Sequence, residues 1–192
     1  GVTYNTTVNG HSKVDPNVPV TFHGGVGFDY RNFSVVAHTK DSLTLHYFSP
    51  DGESGFPGDV DFYVKHTVRK PAVWEAQMSA KFSKRTPFMP TTHLYVQLNA
   101  YNASEPGSLN HTIFINSTKY QATDDNFFST AEIVPIAKGA PEDFSTPKQL
   151  GKGFDVDQCG VNCTGYDTYF VYEPYKPKQT VASAWSDASG IR

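Results

Sequence analysis

Residues 73–84, VWEAQMSAKFSK, alternate polar and apolar side chains along almost their whole length. Apart from Val73, the apolar side chains share one parity: Trp74, Ala76, Met78, Ala80 and Phe82. Residues 59–68 repeat this pattern, with apolar side chains on one parity at Val60, Phe62, Val64 and Val68. A period of two residues is typical of a strand that has one buried and one solvated face. Both stretches therefore predict half-buried strands.

Shorter apolar stretches predict six further strands, at residues 34–37, 43–48, 94–98, 111–115, 133–136 and 168–172. Clusters of proline and glycine, at 49–52 and 55–58, are typical of the tight turns that connect strands. No segment has the period and length of a helix, and no repeat or interdomain linker stands out. We predict an all-β fold, an antiparallel β-sandwich, with residues 1–192 forming a single domain.

Composition excludes several classes of partner. A chain of 192 residues with 38% hydrophobic and 14% aromatic residues can bury one sizeable core. The net charge of -3 is spread among interspersed acidic and basic residues, so it gives no field that would recruit nucleic acid or an anionic membrane. No run of about 18 apolar residues predicts a membrane-spanning helix.

Asparagine and cysteine indicate the compartment. N-glycosylation sequons begin at six positions: Asn5, Asn32, Asn102, Asn110, Asn116 and Asn162. Chance is the alternative explanation, because a chain rich in Asn, Ser and Thr produces sequons freely. The two cysteines, Cys159 and Cys163, are too few for a zinc site and lack the redox CxxC spacing, which leaves a short-loop disulfide or two free thiols. Sequon density and a cysteine pair together predict a secreted, extracellular glycoprotein.

Seven histidines offer general acids and bases, because imidazole titrates near neutral pH. Most of these histidines are expected to be solvated or hydrogen-bonded. His111 is expected to stay exposed, because it lies inside a sequon. Two differ in setting. His23 is followed by a glycine pair, which lets a ligand approach the backbone closely, and His93 stands at the opening of a predicted strand.

Two motifs stand out: residues 22–29, FHGGVGFD, and residues 49–58, SPDGESGFPG. The first is similar to the His-Gly-Gly…Gly-Phe-Asp segment of the aldose 1-epimerase (galactose mutarotase) family, and the second resembles that family's Ser-Pro-Asp-Gly-Glu turn almost letter for letter. The order of the two motifs is also that of the family. Residues 86–99, 120–152 and the Gly-Tyr-Asp at 165–167 extend the resemblance over nearly the whole chain.

This resemblance implies a galactose mutarotase-like supersandwich and an enzyme that interconverts the α and β anomers of free aldoses such as glucose and galactose. In that family the histidine matched by His93 is the general acid, which protonates the ring oxygen of the sugar. His23 would hydrogen-bond the sugar near that oxygen, and Asp167 would bind its hydroxyl groups. The reaction needs no metal and no cofactor, and the monosaccharide is the expected partner.

The chain departs from the family pattern at several positions: Thr92, Val96, Gln97, Thr168 and Tyr169. The general-base glutamate of the family lies beyond the Gly-Tyr-Asp segment and is not found here. We therefore expect the central portion of the sandwich, without its N-terminal and C-terminal segments, and expect those segments to stay associated as separate chains. The expected source is a secreting eukaryote, a fungus in particular.

Two other functions stay open on the same scaffold. A catalytically impaired carbohydrate-binding protein would hold a sugar without converting it, and a structural or interaction fragment would hold none. A relative acting on hexose phosphates is disfavoured, because no Arg or Lys cluster near the motifs would clamp a phosphate. Binding without catalysis would separate the first alternative from the epimerase.

Overall fold

A computed structural model describes residues 1–99, 107–126, 128–153, 157–158, 164–172, 176 and 178–192. In this part of the chain the strands are β1 (Gly10–His11), β2 (Pro19–Val20), β3 (Ser34–His38), β4 (Ser42–Ser49), β5 (Val60–Arg69), β6 (Val73–Phe82), β7 (Thr112–Ile115), β8 (Lys119–Thr123), β9 (Ser129–Pro135), β10 (Lys148–Gln149), β11 (Asp157–Gln158), β12 (Gly165–Tyr166), β13 (Tyr169–Phe170) and β14 (Ala182–Trp185). The helical segments among these residues are short 3₁₀ turns: Phe28–Tyr30, Glu53–Gly55 and Ser108–Asn110. The all-β prediction is confirmed.

The chain divides into two compact units, Gly1–Leu94 and Tyr95–Arg192. The first contains an antiparallel sheet in the order β3-β4-β5-β6 and the small β1-β2 ladder. The second contains the sheets β10-β7-β14 and β13-β8-β9, and a parallel pair, β11-β12. The assignment of residues 1–192 to a single domain stays a prediction.

The two alternating stretches form the strands β5 and β6, as predicted, and the structure pairs them as a hairpin. All ten residues of β5 pair with β6 in one unbroken register, with Phe62 opposite Ala80 and Val64 opposite Met78. The apolar parity of β5 faces the core, where Val60, Phe62 and Val64 are buried. Removing such side chains from water stabilises the fold by about 1.5–3 kcal/mol each, which is why the alternation specifies this face.

An aromatic cluster covers the buried face of β5. Phe28 stacks on Phe62 at a centroid distance of 5.2 Å, and Phe88 meets the same ring edge to face at 5.3 Å. Phe33 completes the contact with Phe62 at 6.0 Å. Phe28 lies within the His23 motif, residues 22–29, and Phe88 precedes His93 along the chain. The core of the first unit therefore holds both histidine-bearing segments.

Among the described residues of the second unit, Phe144 is the most deeply buried apolar residue. Its side chain is 2% exposed and meets the rings of Tyr166 and Phe170 edge to face, at 5.2 and 6.3 Å. The ammonium of Lys148 lies 4.4 Å from the centre of the Phe144 ring, and its burial lowers the pKa of Lys148. This packing fixes Tyr166, the residue before Asp167.

Several strand predictions need correction. Residues 94–98 form no strand, and Leu94, Tyr95 and Val96 are 60%, 91% and 55% exposed. A strand requires a neighbouring backbone to hydrogen-bond, and apolar side chains alone do not supply one. The strand expected at 168–172 is only the two residues of β13, whereas β8 and β14 escaped prediction because they are short and mixed in polarity.

His111 was expected to be exposed and is instead buried, at 3% exposure. It lies where the turn Ser108–Asn110 enters β7, and its own backbone nitrogen and carbonyl bond Ser108 and Leu150. The hydrogen bonds of the turn and of the neighbouring segment hold this residue inward, although Asn110 beside it is exposed.

No helix in the described ranges combines the length and apolar character that crossing a membrane requires. In the same ranges, no three His, Cys, Asp or Glu side chains are grouped so as to hold a metal ion.

Candidate active site

His23 lies in a tight turn whose backbone is forced into the left-handed region. The φ angles of His23 and Gly24 are 51° and 78°, and the N–H of Gly25 donates to the carbonyl of Phe22 at 2.9 Å. Positive φ at both central positions, closed by that bond, is the pattern of a type I′ turn. Gly24 accepts this conformation freely, but a histidine adopts it at a cost of about 1–2 kcal/mol. The turn presents the His23 side chain to solvent.

The side-chain amide of Asn9 holds this turn. Its Nδ2 donates to the carbonyls of Phe22 and Gly25, at 2.9 and 3.1 Å, and its Oδ1 accepts from the N–H of Phe22 at 2.7 Å. One side chain thus satisfies three backbone groups around the strained histidine. No motif in the sequence marked Asn9, because its partners lie more than ten positions away.

The loop of residues 49–58 packs against the His23 turn. The hydroxyl of Ser54 donates to the carbonyl of Val26 at 3.1 Å, and the N–H of Thr7 donates to the carbonyl of Ser54 at 2.9 Å. A Cβ placed on Gly25 would lie 3.3 Å from the Cβ atoms of both Ser54 and Thr7. Glycine at position 25 therefore serves close packing as well as positive φ.

Glu53 anchors the same loop to the sheet. Its side chain is 12% exposed, and its Oε1 accepts from Arg31 at 2.8 Å and from the Tyr47 hydroxyl at 2.7 Å. Burial, and then the hydrogen bond to this carboxylate, raises the pKa of Tyr47. Tyr47 also meets the ring of Phe28 edge to face at 5.4 Å. The loop, the sheet and the aromatic core are thereby joined through one carboxylate.

Within the loop, Asp51 organises the turn. It accepts from the Gly58 N–H at 2.5 Å and from the Lys84 ammonium at 2.7 Å. These contacts, the lysine first, lower the pKa of Asp51, and the same pair raises the pKa of Lys84. The Ser-Pro-Asp-Gly-Glu motif is therefore a structural element whose two acidic residues bond to scaffold groups.

The structure brings His23 and His93 together. Their rings meet edge to face, with centroids 6.5 Å apart and planes at 89°. Both side chains are solvent-exposed, and His93 follows the core residue Phe88 on a segment without regular secondary structure. Two imidazoles at this separation can each donate a proton to, or accept a proton from, neighbouring atoms of one small polar ligand.

Asp167, the third residue assigned to the site, belongs to the second unit and is exposed. It follows β12, whose Gly165 has a φ of 130°. The Tyr166 hydroxyl donates to the Gly153 carbonyl at 2.9 Å, and this anchors the residue next to Asp167. The role of Asp167 in binding stays a prediction.

Four of the six sequon asparagines lie in the described part of the chain. Asn5, Asn32, Asn110 and Asn116 are exposed, although Nδ2 of Asn116 donates to the Thr180 carbonyl at 3.4 Å. The remaining modification candidates lie outside the described residues: Asn102, Asn162, Cys159 and Cys163.

Comparison with known proteins gives concordant matches. The family model described as aldose 1-epimerase matches residues 1–192. A probable aldose 1-epimerase of Arthroderma benhamiae is 31% identical over 98% of this chain and 44% of its own length. The galactose mutarotase of Homo sapiens is 28% identical over 90% of this chain and 48% of its own length. The chain thus spans about half the length of the curated relatives it matches.

Two solved structures share the fold. A galactose 1-epimerase from Lactobacillus acidophilus covers 85% of this chain with a TM-score of 0.68 and 21% identity, the match spanning 48% of that protein. An aldose epimerase homologue from C. elegans covers 88% with a TM-score of 0.63 and 20% identity, over 50% of its length. With the family match over every residue, these likenesses lead to one conclusion: the chain belongs to the aldose 1-epimerase family.

Proposed function

We propose that this protein is an aldose 1-epimerase that interconverts the α and β anomers of free aldoses, glucose and galactose among them. The observation that carries the proposal is the His23–His93 pair, with ring centroids 6.5 Å apart, on two segments that share one aromatic core. Membership of the aldose 1-epimerase family supports it.

The proposed mechanism is ring opening by general acid and base catalysis. His93 donates a proton to the ring oxygen while a carboxylate removes the proton from the hydroxyl on C1. The bond between C1 and the ring oxygen breaks, and C1 becomes the carbonyl carbon of the open-chain aldose. Rotation about the C1–C2 bond and the reverse proton transfers then close the ring as the other anomer. His23 stabilises the charge developing near the ring oxygen, and Asp167 orients hydroxyl groups.

For the carboxylate base we propose a glutamate outside residues 1–192, on a further segment of the same sandwich. The resemblance supports this assignment, since it places the base in a glutamate beyond the segment matched by residues 165–167. Native mass spectrometry of an active preparation would test it. A catalytically active sample that contains this chain alone would overturn this part of the proposal without affecting the rest.

Polarimetry tests the activity itself. Freshly dissolved α-D-glucose and α-D-galactose are followed with and without the protein, and we expect mutarotation clearly faster than in buffer. A mutarotation rate in an assembled sample that equals the rate in buffer would overturn the proposal. In that case, sugar binding detected by calorimetry would identify a carbohydrate-binding protein with an impaired site, and no binding would leave a structural role.

We further propose that the protein is secreted and carries N-glycans on its sequons. We also propose a disulfide bond between Cys159 and Cys163, and a fungal source. The exposure of four sequon asparagines supports the glycosylation, because an N-glycan must project from a side chain at the surface. These residues are Asn5, Asn32, Asn110 and Asn116. Intact mass of the natively expressed protein, before and after enzymatic removal of N-glycans, tests it. An unchanged mass, or two alkylatable thiols without reduction, would contradict these assignments.

A further inference from the structure

The side chain of Asn9 pairs with Phe22 as the peptide group of a neighbouring strand would. Its Oδ1 accepts from the N–H of Phe22 at 2.7 Å, and its Nδ2 donates to the carbonyl of the same residue at 2.9 Å. A second donation from Nδ2 reaches the carbonyl of Gly25 at 3.1 Å. An amide supplies two N–H donors and an acceptor in one group, a combination that a hydroxyl, an ammonium or a carboxylate does not offer. The residue type at position 9 therefore matches the backbone that it meets.

These hydrogen bonds bracket His23. Phe22 precedes the histidine and Gly25 follows it by two residues, and the N–H of Gly25 closes the turn on the carbonyl of Phe22 at 2.9 Å. His23 and Gly24, both with positive φ, are thus the two residues held between fixed ends. The direction in which the turn presents the imidazole is set by those ends.

Asn9 is itself fixed to the segment that leads into the turn. Its backbone N–H donates to the carbonyl of Val20 at 3.2 Å. At the next position, a Cβ on Gly10 would lie 2.6 Å from Cδ2 of Phe22, so glycine leaves the room that this ring occupies. The amide of Asn9 is therefore held at a defined place beside the turn.

The clamp matters because His23 has a backbone conformation that a side chain disfavours. A histidine with a φ of 51° is strained, and a turn released from its clamp would relax toward ordinary φ values. The imidazole would then leave the ring of His93, whose centroid is 6.5 Å away. We propose that Asn9 is a positioning residue, which holds the His23 turn in its left-handed conformation and thereby keeps the two imidazoles together.

The catalytic consequence of this inference rests on the proposed function. His23 there stabilises charge that develops near the ring oxygen, so its displacement weakens binding of the transition state more than binding of the sugar. A misplacement of about 1 Å can reduce a rate about a hundredfold. Asn9→Ala should therefore lower kcat for mutarotation about tenfold to a hundredfold and change KM little.

Nuclear magnetic resonance on the assembled protein tests the contact without any need for activity. With isotope-labelled histidine, a nuclear Overhauser effect between the imidazole protons of His23 and His93 should be present in the wild type. Asn9→Ala should abolish it. Asn9→Asp has nearly the same volume, but its second oxygen would face the carbonyls of Phe22 and Gly25, so it should abolish the contact as well.

Asn17→Ala is the matched control. The amide of Asn17 donates to the Asp15 carboxylate at 3.0 Å, in the connection between β1 and β2, and it lies outside the His23 turn. This variant should keep both the imidazole contact and the wild-type kcat.

A double-mutant cycle tests the route by which Asn9 acts. In a His23→Gly background, which lacks the imidazole, Asn9→Ala should change the residual kcat by less than about twofold. A general loosening of the fold would instead lower kcat equally in both backgrounds. Urea unfolding establishes that each variant is folded, and Asn9→Asp replaces Asn9→Ala if the alanine variant is not.

Retention of the imidazole contact in folded Asn9→Ala or Asn9→Asp would overturn the proposal, as would equal losses of kcat in the two backgrounds. Loss of the contact in Asn17→Ala would overturn it too, and so would a protein that folds with neither substitution at Asn9, since Asn9 would then serve the whole fold. If the assembled protein does not accelerate mutarotation, the proposed function fails, and the imidazole contact then decides the role of Asn9 by itself.

Discussion

The rings of His23 and His93 meet edge to face at a centroid distance of 6.5 Å, although the two residues lie far apart in the sequence. Their segments converge because Phe28 and Phe88 pack against the same ring, that of Phe62. The geometry of the candidate site therefore depends on the aromatic core beneath it.

Replacing His93 by alanine should reduce the acceleration of mutarotation about a hundredfold or more, because it removes the proposed general acid. Polarimetry on an assembled, active sample measures this loss. His38→Ala is the matched control, since His38 is an exposed histidine on β3. Equal activity of the two variants would show that His93 is not the acid.

Replacing His23 by glycine should separate stability from function. Glycine adopts the φ of 51° found at this position without strain, so the free energy of unfolding in urea should not fall. Activity should fall, because the imidazole that contacts the His93 ring is removed. A stable variant with full activity would contradict the role of His23 at the ring oxygen, and a strongly destabilised variant would contradict the strain argument.

Two glycines of the 49–58 loop should respond differently to alanine. Gly52 and Gly55 both have positive φ, 85° and 83°, but a Cβ at Gly52 meets open space whereas one at Gly55 would lie 2.7 Å from Cα of Thr6. Gly52→Ala should cost about 1–2 kcal/mol from backbone strain alone. Gly55→Ala should cost more than about 3 kcal/mol, because backbone atoms must also move. Equal losses in the free energy of unfolding, measured in urea, would refute the close approach of the 49–58 loop to Thr6.

Stability below neutral pH should depend on Asp143. Its carboxylate accepts from the Gly139 N–H at 2.8 Å and from the Ser145 hydroxyl at 2.5 Å, and these bonds lower its pKa below the ordinary 3.8. A lowered pKa in the folded state adds stability that is present above pH 3.8 and lost as pH falls through the folded value. Asp143→Asn should therefore be less stable than the wild type at neutral pH, and the difference should shrink in acid.

Chemical denaturation of both proteins from pH 7 to about pH 2 measures this difference. A difference that stays constant over the range would show that the Asp143 carboxylate does not favour its charged form in the fold.

Much of the first unit was predictable because its signals are local. The alternation in residues 59–68 and 73–84 specified the strands β5 and β6. Its apolar side is buried at Val60, Phe62 and Val64 of β5, whereas Trp74 and Phe82 of β6 are exposed. The motifs around His23 and Glu53 indicated the family, which the match over residues 1–192 confirms. Motifs of this kind are readable because each demands particular side chains or glycines at fixed spacing.

Residues whose state depends on distant partners were not predictable. Residues 94–98 are apolar but form no strand, and His111 is buried despite its sequon. Asn9 closes the His23 turn through partners that no local pattern identifies. Hydrogen-bond partners and burial are properties of the packed chain, because both depend on which remote segments arrive at the same place.

The sequence by itself determined the class of fold, the strands with strict alternation and the family, and it singled out His23 and His93 as candidates. Only the tertiary structure decided that His23 has a left-handed backbone, that Asn9 and Ser54 hold its turn, and that His93 lies beside it. The physical reason is that period and motif report the preferences of neighbouring residues. The convergence of two loops, by contrast, follows from burying Phe28 and Phe88 on one core.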